Sequence, residues 1–510
     1  MAATPEQRED AANRALEIGA RLTHGPSQRL IDGAFQKELD AQLPLFDALS
    51  RVDLAHSLVM IENGIVPTTA RAELLQALRQ LQHHPSDFDP DPAHGDLYTN
   101  REVWLMNKTS AAAWLGAGRA RREAITSAFT IKLRETLLAL TETLTDFAAS
   151  LLSKAEQHQT SLMPDYTYLQ AAQPTSFGHY LLGFAYPVLR DLERVRQAYQ
   201  RLNRSPAGCG SSNGSRLPQS RSRLAQLLGF DGLVVHARDA MWQADLMIEI
   251  ATVATAIMVN LDRLAEDLQI FATEEFGLLE LDDCHARASK IMPQKKNPFA
   301  LTPIRGLANT LIGNLAATAA LGRTPSGQPD NRLTLYGLLP ETLADTAQAI
   351  GLMSEVVTML QFNIEHARAK LEHGFVMATD LAEALVLETG LPFRDAHRLV
   401  GQLVRRHLSD GNLRTLTPKE LADGAAELLG QRIELSAEQL AQALLPEAAL
   451  EARRETGGAA FAAMTEMLCH CRQDLIQADT WQRDRRQCLN QADMLLERSI
   501  QHVLDAASAR

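Results

Sequence analysis

Apolar residues recur through the middle of the chain with a helical period. They fall at Leu246, Ile250, Val253, Ile257, Leu261, Leu264, Leu268 and Phe271, at spacings of 4, 3, 4, 4, 3, 4 and 3. That period draws one stripe along a single helix about 40 Å long, the geometry of a bundle member. Residues 175–202 predict a second helix, kinked near Pro187, whose ring removes a backbone donor. Two loops stand out: the Pro- and Asp-rich "HHPSDFDPDPAHGD" (83–96), which breaks the N-terminal helical patterns, and the Gly/Ser-rich "GCGSSNGSRLPQS" (208–220), which separates the two helices. Sustained period-2 alternation is almost absent, so the expected fold class is all-α. The pattern divides into an N-terminal helical lobe (1–113), a central long-helix bundle (114–370) and a C-terminal helical lobe with an extended tail (371–510). The tail segment "DMLLERSIQHVLDAASAR" reads as an amphipathic helix packed on the body. Long helices with broad apolar faces call for partners, so oligomerisation is expected.

Composition narrows the function classes. A formal net charge of −12 provides no basic excess to neutralise phosphates, which argues against a general nucleic-acid binder. It leaves room for a local cationic pocket for a small anion. The five cysteines are scattered and odd in number, so no disulfide framework is expected. The "CHC" at 469–471 lacks partner ligands at zinc-like spacing. No apolar run reaches the ~20 residues of a membrane span. The acidic, helix-like start does not read as a signal peptide, and the expected location is the cytoplasm.

Chemistry concentrates in "SKIMPQKKNP" (289–298), a cationic, proline-broken loop in a chain that otherwise reads as helix. A serine beside cations can act as a base or nucleophile. Lys295 and Asn297 can donate to a carboxylate or a developing oxyanion. Composition alone also allows a plain solvated lysine turn. The loop resembles the central loop of the fumarase/aspartase superfamily, and its "QKKNP" form resembles argininosuccinate lyase. Three further stretches agree in order: "WLGAGRARREAIT" (114–126), "YTYLQAAQPTSFGH" (166–179) and "SPAGCGSSNGSRLPQSRSRLAQLLGF" (205–230). "FVMATDLAEALVLETGLPFRDAHRLVG" (375–401) and "ALEARRETGG" (449–458) extend the likeness, which spans roughly residues 45–460.

The resemblance implies an elongated helical subunit, a homotetramer with sites shared between subunits, and β-elimination that needs no cofactor. Residue by residue it implies Ser289 as base, with Lys295 and Asn297 stabilising the aci-carboxylate dianion. Arg119 and Arg121 match the first segment, with Arg121 the better candidate carboxylate clamp. Thr167 and Gln170 match substrate-side positions of the second, and Ser211 and Ser212 those of the glycine-rich loop. The departures are numerous. Tyr168 stands where the family carries a histidine, and Thr302 where it carries that histidine's glutamate. Tyr168 is read either as a replacement proton donor or as a packing residue. Ala120, Arg121, Arg122 and Glu123 replace Ser-Arg-Asn-Asp. Ala288, Ser289 and Lys290, preceded by Arg287, replace Gly-Ser-Ser, and Ala288 is expected to stiffen the loop. "SGQPDNRLTLYG" (326–337) and "ARLTHGPSQ" (20–28) replace further binding segments.

Arg122, Arg287 and Lys290 add positive charge to the expected pocket, whereas Glu123 and Asp330 add negative charge. The expected function is a carbon–nitrogen lyase that releases fumarate from an N-substituted aspartate or polycarboxylate, or adds an amine to fumarate. Two alternatives stand beside it: a non-catalytic scaffold, and a related enzyme with a non-fumarate product. The expected partner is a small anionic, amino-acid-like substrate.

Overall fold

A computed structural model describes residues 5–242, 244–324 and 332–508. The first half of the 326–337 departure, with Asp330, therefore lies outside the described residues. Helices dominate, as the periodicity predicts. The stripe from Leu246 to Phe271 becomes helix Asp245–Phe271, with Ile250, Val253, Ile257, Leu261, Leu264, Leu268 and Phe271 buried. The second predicted helix is Phe177–Leu202, which carries Pro187 inside it. Its first two expected residues belong instead to a strand, and the Ser176 hydroxyl caps the helix by accepting from His179 N at 3.0 Å.

Five long helices form the body: Arg121–Gln157, Phe177–Leu202, Asp245–Phe271, Leu301–Leu321 and Arg332–Met359. The first packs on the second and fifth, and the third packs on the fourth. The first has 37 residues, so its ends lie about 55 Å apart. Its connections define two ends of the bundle. At one end Lys154 Nζ donates to Leu360 O at 3.1 Å, and the Phe177 and Phe362 rings stack at 4.2 Å. Leu279 also pairs with Phe362 there. At the other end Gln219 Nε2 donates to Gly118 O at 2.9 Å, and Arg332 Nη1 reaches Thr126 Oγ1 at 3.2 Å.

Apolar packing crosses residue 113. Leu49, Leu58, Leu78 and Leu105 share one core with Leu137, Ile257 and Met353. The long helix Phe461–Ser508 joins the same core through Met464, Leu468, Leu489, Leu496 and Ile500. A separate core holds Leu381, Leu399, Leu403, Leu421 and Leu440. Among the described residues no helix is long and apolar enough to cross a membrane.

The sequence did not reveal the short β-structure. Leu162–Thr167 pairs antiparallel with Gln170–Ser176, and Arg287–Ala288 pairs with Lys296–Asn297. The first hairpin turns at Tyr168 and Leu169, both at positive φ, 53° and 57°. These are left-handed positions that normally favour Gly or Asn.

Candidate active site

The loop that carries Ser289 is a tight hairpin. Arg287 and Ala288 face Asn297 and Lys296 across its two short strands. Ala288 is therefore extended, a conformation alanine adopts without strain. Ser289 N donates to Lys295 O at 3.2 Å, and Lys295 N donates to Met292 O at 3.1 Å. These bonds curl 289–295 around the serine oxygen. Met292 N donates to Ser289 Oγ at 3.0 Å and Ile291 N reaches it at 3.4 Å. Two N–H dipoles aimed at one hydroxyl oxygen favour its alkoxide over its alcohol.

The three lysines of this loop differ. Lys296 Nζ bridges Glu280 and Asp283, each at 2.7 Å, so it anchors the hairpin to the preceding segment. Among the described residues Lys290 and Lys295 make no ion pair, and both side chains are exposed. Asn297 Nδ2 donates to Arg287 O at 2.9 Å, and the Arg287 guanidinium lies over the Phe299 ring at 4.9 Å. The tip residues Ile291 and Met292 are exposed apolar side chains.

Thr167, Tyr168 and Gln170 sit at the tip of the other hairpin. Its stem is held by Tyr166 packing on Phe276 and Phe271, with ring centroids at 5.1 and 5.9 Å. Tyr168 itself is 99% exposed, so it packs on nothing among the described residues. No hydrogen bond joins the two hairpins among the described residues.

Arg119, Arg121, Arg122, Ser211 and Ser212 lie at the opposite end of the bundle. The Arg119 guanidinium points into the protein, which leaves Arg121 as the candidate clamp of the pair. Arg119 Nη2 meets Asp53 at 2.8 Å, and both side chains are essentially inaccessible. Arg101 meets the same carboxylate at 2.9 Å. One anion faces two cations, and ring faces supply the remainder: Arg101 lies over Phe46 at 4.8 Å and Arg119 over Tyr98 at 5.2 Å. His56, fully buried beside Arg119, is held well below the usual histidine range by burial and by that cation. Within the single chain Arg119 is an internal cation.

Arg121 remains available. Its side chain is half exposed, with Nε on Asp96 at 3.0 Å and Nη1 at 3.5 Å from Thr99 Oγ1. Arg122 is partly buried, and its charge acts on Glu38, Arg332 and Tyr336. Ser211 is exposed and Ser212 partly so, in a turn closed by Gly214 N donating to Cys209 O at 3.1 Å. Sequence reasoning missed the anchoring role of Lys296 and the Asp96 partner of Arg121. Neither had a signal, because each pairing joins segments that only the fold brings together.

The candidate residues therefore form two sets separated by the length of the Arg121–Gln157 helix. Ser289, Lys290, Lys295, Asn297, Thr167, Tyr168 and Gln170 gather at one end, and Arg121, Arg122, Ser211 and Ser212 at the other. A span of about 55 Å is far beyond the reach of one small substrate.

Comparison with known proteins adds the following. A family profile described as lyase matches residues 61–313, and one described as argininosuccinate lyase C-terminal matches 375–451. The argininosuccinate lyase of Methanoculleus marisnigri is 32% identical over 462 residues, covering 90% of this chain and 93% of its own. That of Archaeoglobus fulgidus is 32% identical over 468 residues, covering 92% and 94%. Among solved structures, an EDDS lyase variant with bound fumarate aligns with a TM-score of 0.85 at 27% identity, over 98% of this chain and 99% of that one. The 3-carboxy-cis,cis-muconate lactonizing enzyme from Pseudomonas putida shares the fold, with a TM-score of 0.68 at 19% identity over 89% and 100%.

Proposed function

The chain belongs to the argininosuccinate lyase family of carbon–nitrogen lyases, and from that premise we propose how its residues release fumarate and from what. Ser289 Oγ, as alkoxide, takes the proton from the carbon next to a carboxylate. The electron pair passes through an aci-carboxylate dianion into the new C=C bond, and the C–N bond breaks. The departing nitrogen takes a proton, from the Tyr168 hydroxyl or from water. Lys295 and Asn297 stabilise the dianion, work that usually dominates such barriers. Arg121 clamps a carboxylate bidentately. Arg122, Lys290, Thr167, Gln170, Ser211 and Ser212 complete the substrate contacts.

The observation that carries this reading is the Ser289 oxygen itself, which receives two backbone N–H groups on an exposed hairpin beside a lysine that makes no ion pair among the described residues. The cations at 122, 287 and 290 support an acidic N-substituted aspartate or related polycarboxylate as substrate rather than argininosuccinate. The likeness to EDDS lyase with bound fumarate supports fumarate as the product.

The separation of the two residue sets and helix Leu301–Leu321 support a homotetramer with sites shared between copies. Arg305 is its sole charged residue, yet Gly306, Thr310, Ile312, Gly313, Ala316 and Ala317 are exposed in the single chain. A helix with one charge and so many small or apolar residues in solvent fits inside a larger bundle.

The test is fumarate formation, followed by its ultraviolet absorbance, across a panel of N-substituted aspartates in both directions. Wild-type turnover of acidic analogues that falls at least about 10³-fold in Ser289→Ala supports the reading, since the lost group is the base itself. Normal turnover of argininosuccinate with no acceptance of acidic analogues overturns the substrate assignment. Equal activity in Ser289→Ala overturns the base.

A further inference from the structure

Glu123 is the third residue of helix Arg121–Gln157, and its side chain turns away from solvent beneath the glycine-rich loop. It is 1% exposed. Its Oε1 accepts from Gly208 N at 2.6 Å, and the Gly210 N–H acts on the same carboxylate. Among the described residues its Oε2 has no hydrogen-bond partner. The two amides flank Cys209, which is completely buried, so the carboxylate fixes the backbone immediately before Ser211 and Ser212.

The loop has little freedom to compensate. Gly208 and Gly210 adopt φ of +77° and +67°, and a Cβ on Gly210 would stand 2.6 Å from Gly214 O. The charged groups facing Glu123 are Arg119 from the preceding turn and Arg221 from helix Arg221–Leu227. The Cys209 thiol lies beside it, and Arg332 acts on that thiol in turn.

We propose that Glu123 is a positioning residue: its ionised carboxylate, through the Gly208 and Gly210 amides, holds the serine-bearing loop in the conformation that binds substrate. This rests on the reading of Ser211 and Ser212 as substrate contacts. Glu123 touches no reacting atom, so it governs affinity rather than the chemical step.

Protonation sharpens the consequence. Burial pushes the Glu123 carboxyl up to about 7, against the Gly208 amide, Arg119, the Gly210 amide and Arg221. An acid whose pKa is higher folded than unfolded stabilises the fold below its ordinary value of 4.5. That contribution disappears as pH rises through about 7. Loop holding runs the other way, because the carboxylate accepts the stronger, charge-assisted bond. Falling pH firms the fold while it loosens the loop, whereas a merely structural glutamate would move both together.

The test compares wild type with Glu123→Gln, which keeps the shape and removes the charge. Amide hydrogen exchange at 208–214, corrected for intrinsic rates, needs no substrate. At about pH 8 the Gln variant should exchange about tenfold faster than wild type, the equilibrium effect of one charge-assisted bond. At about pH 6 the two should converge. KM should rise about tenfold in the variant at the higher pH with kcat within about twofold, and wild-type KM should rise on acidification. Exchange unaffected by both pH and substitution overturns the proposal. So does altered exchange with unchanged KM, or a loss confined to kcat. Without turnover on any substrate, the lyase reading falls and the exchange comparison still decides the loop.

Discussion

The two ends of the bundle treat charge in opposite ways. At the arginine end the decisive groups are held from within: Asp53 lies between Arg101 and Arg119, both inaccessible, and Glu123 sits under two amides. At the hairpin end the candidate reactive groups stand in the open. Tyr168 is almost fully exposed, Lys295 makes no ion pair among the described residues, and the Lys296 pairs are solvated. The single chain thus encloses the charges that support the first half of the candidate set and leaves the second half in solvent. Burial makes the first half rigid, because each charge there would be uncompensated without its partner. Exposure leaves the second half without that constraint.

That contrast can be broken most decisively by mixing chains. Ser289→Ala and Arg121→Ala damage opposite ends, and each variant alone should be nearly inactive. Co-assembled in equal amounts they should regain about a quarter of wild-type activity, the chance that both copies contributing to a site carry the intact residue. Rates measured after joint refolding decide this, and no recovery would place the whole site in one chain. A smaller effect separates the two kinds of ion pair. Asp53→Asn leaves two buried guanidiniums without an anion and should lower unfolding stability by about 3–5 kcal/mol. Lys296→Ala, among exposed carboxylates, should lower it by less than about 1 kcal/mol. Denaturant titration of both variants checks the difference. The smallest effect lies at the Tyr168 hairpin. Leu169 holds φ at 57°, and Leu169→Gly should stabilise by roughly 0.5 kcal/mol as relief of left-handed strain exceeds glycine's extra entropy. A lower melting temperature would show that contacts of the leucine outweigh its strain.

The bundle was legible in the sequence because burial on one face imposes a period, as the run from Leu246 to Phe271 shows. The Ser289 loop was legible because serine, lysines and prolines cluster in ten positions. The Tyr168 hairpin was not. Its turn carries neither Gly nor Asn, and its first strand buries Leu162, Met163 and Pro164 in succession rather than in alternation. Arg119 and Arg121 look equivalent two positions apart. What separates them is Asp53, 66 residues away from Arg119, and the turn into helix Arg121–Gln157 that sends one guanidinium inward and leaves the other half exposed. Local pattern finds elements and clusters of chemistry, whereas the direction of a side chain at a helix start depends on distant partners.

The helix Phe461–Ser508 also bears on how the protein is made. It has 48 residues, about 72 Å of rod. It begins where Met464 meets Ser176 and continues past the Tyr199 ring against Trp481 to Leu489 beside Gly229 and Glu497 on Arg79. It emerges from the ribosome after every helix it covers. Until it does, the nascent bundle carries a long uncovered apolar seam, closed when this rod is laid along it. The window between those events is when the young chain is most exposed to sticking and most in need of protection in the cell.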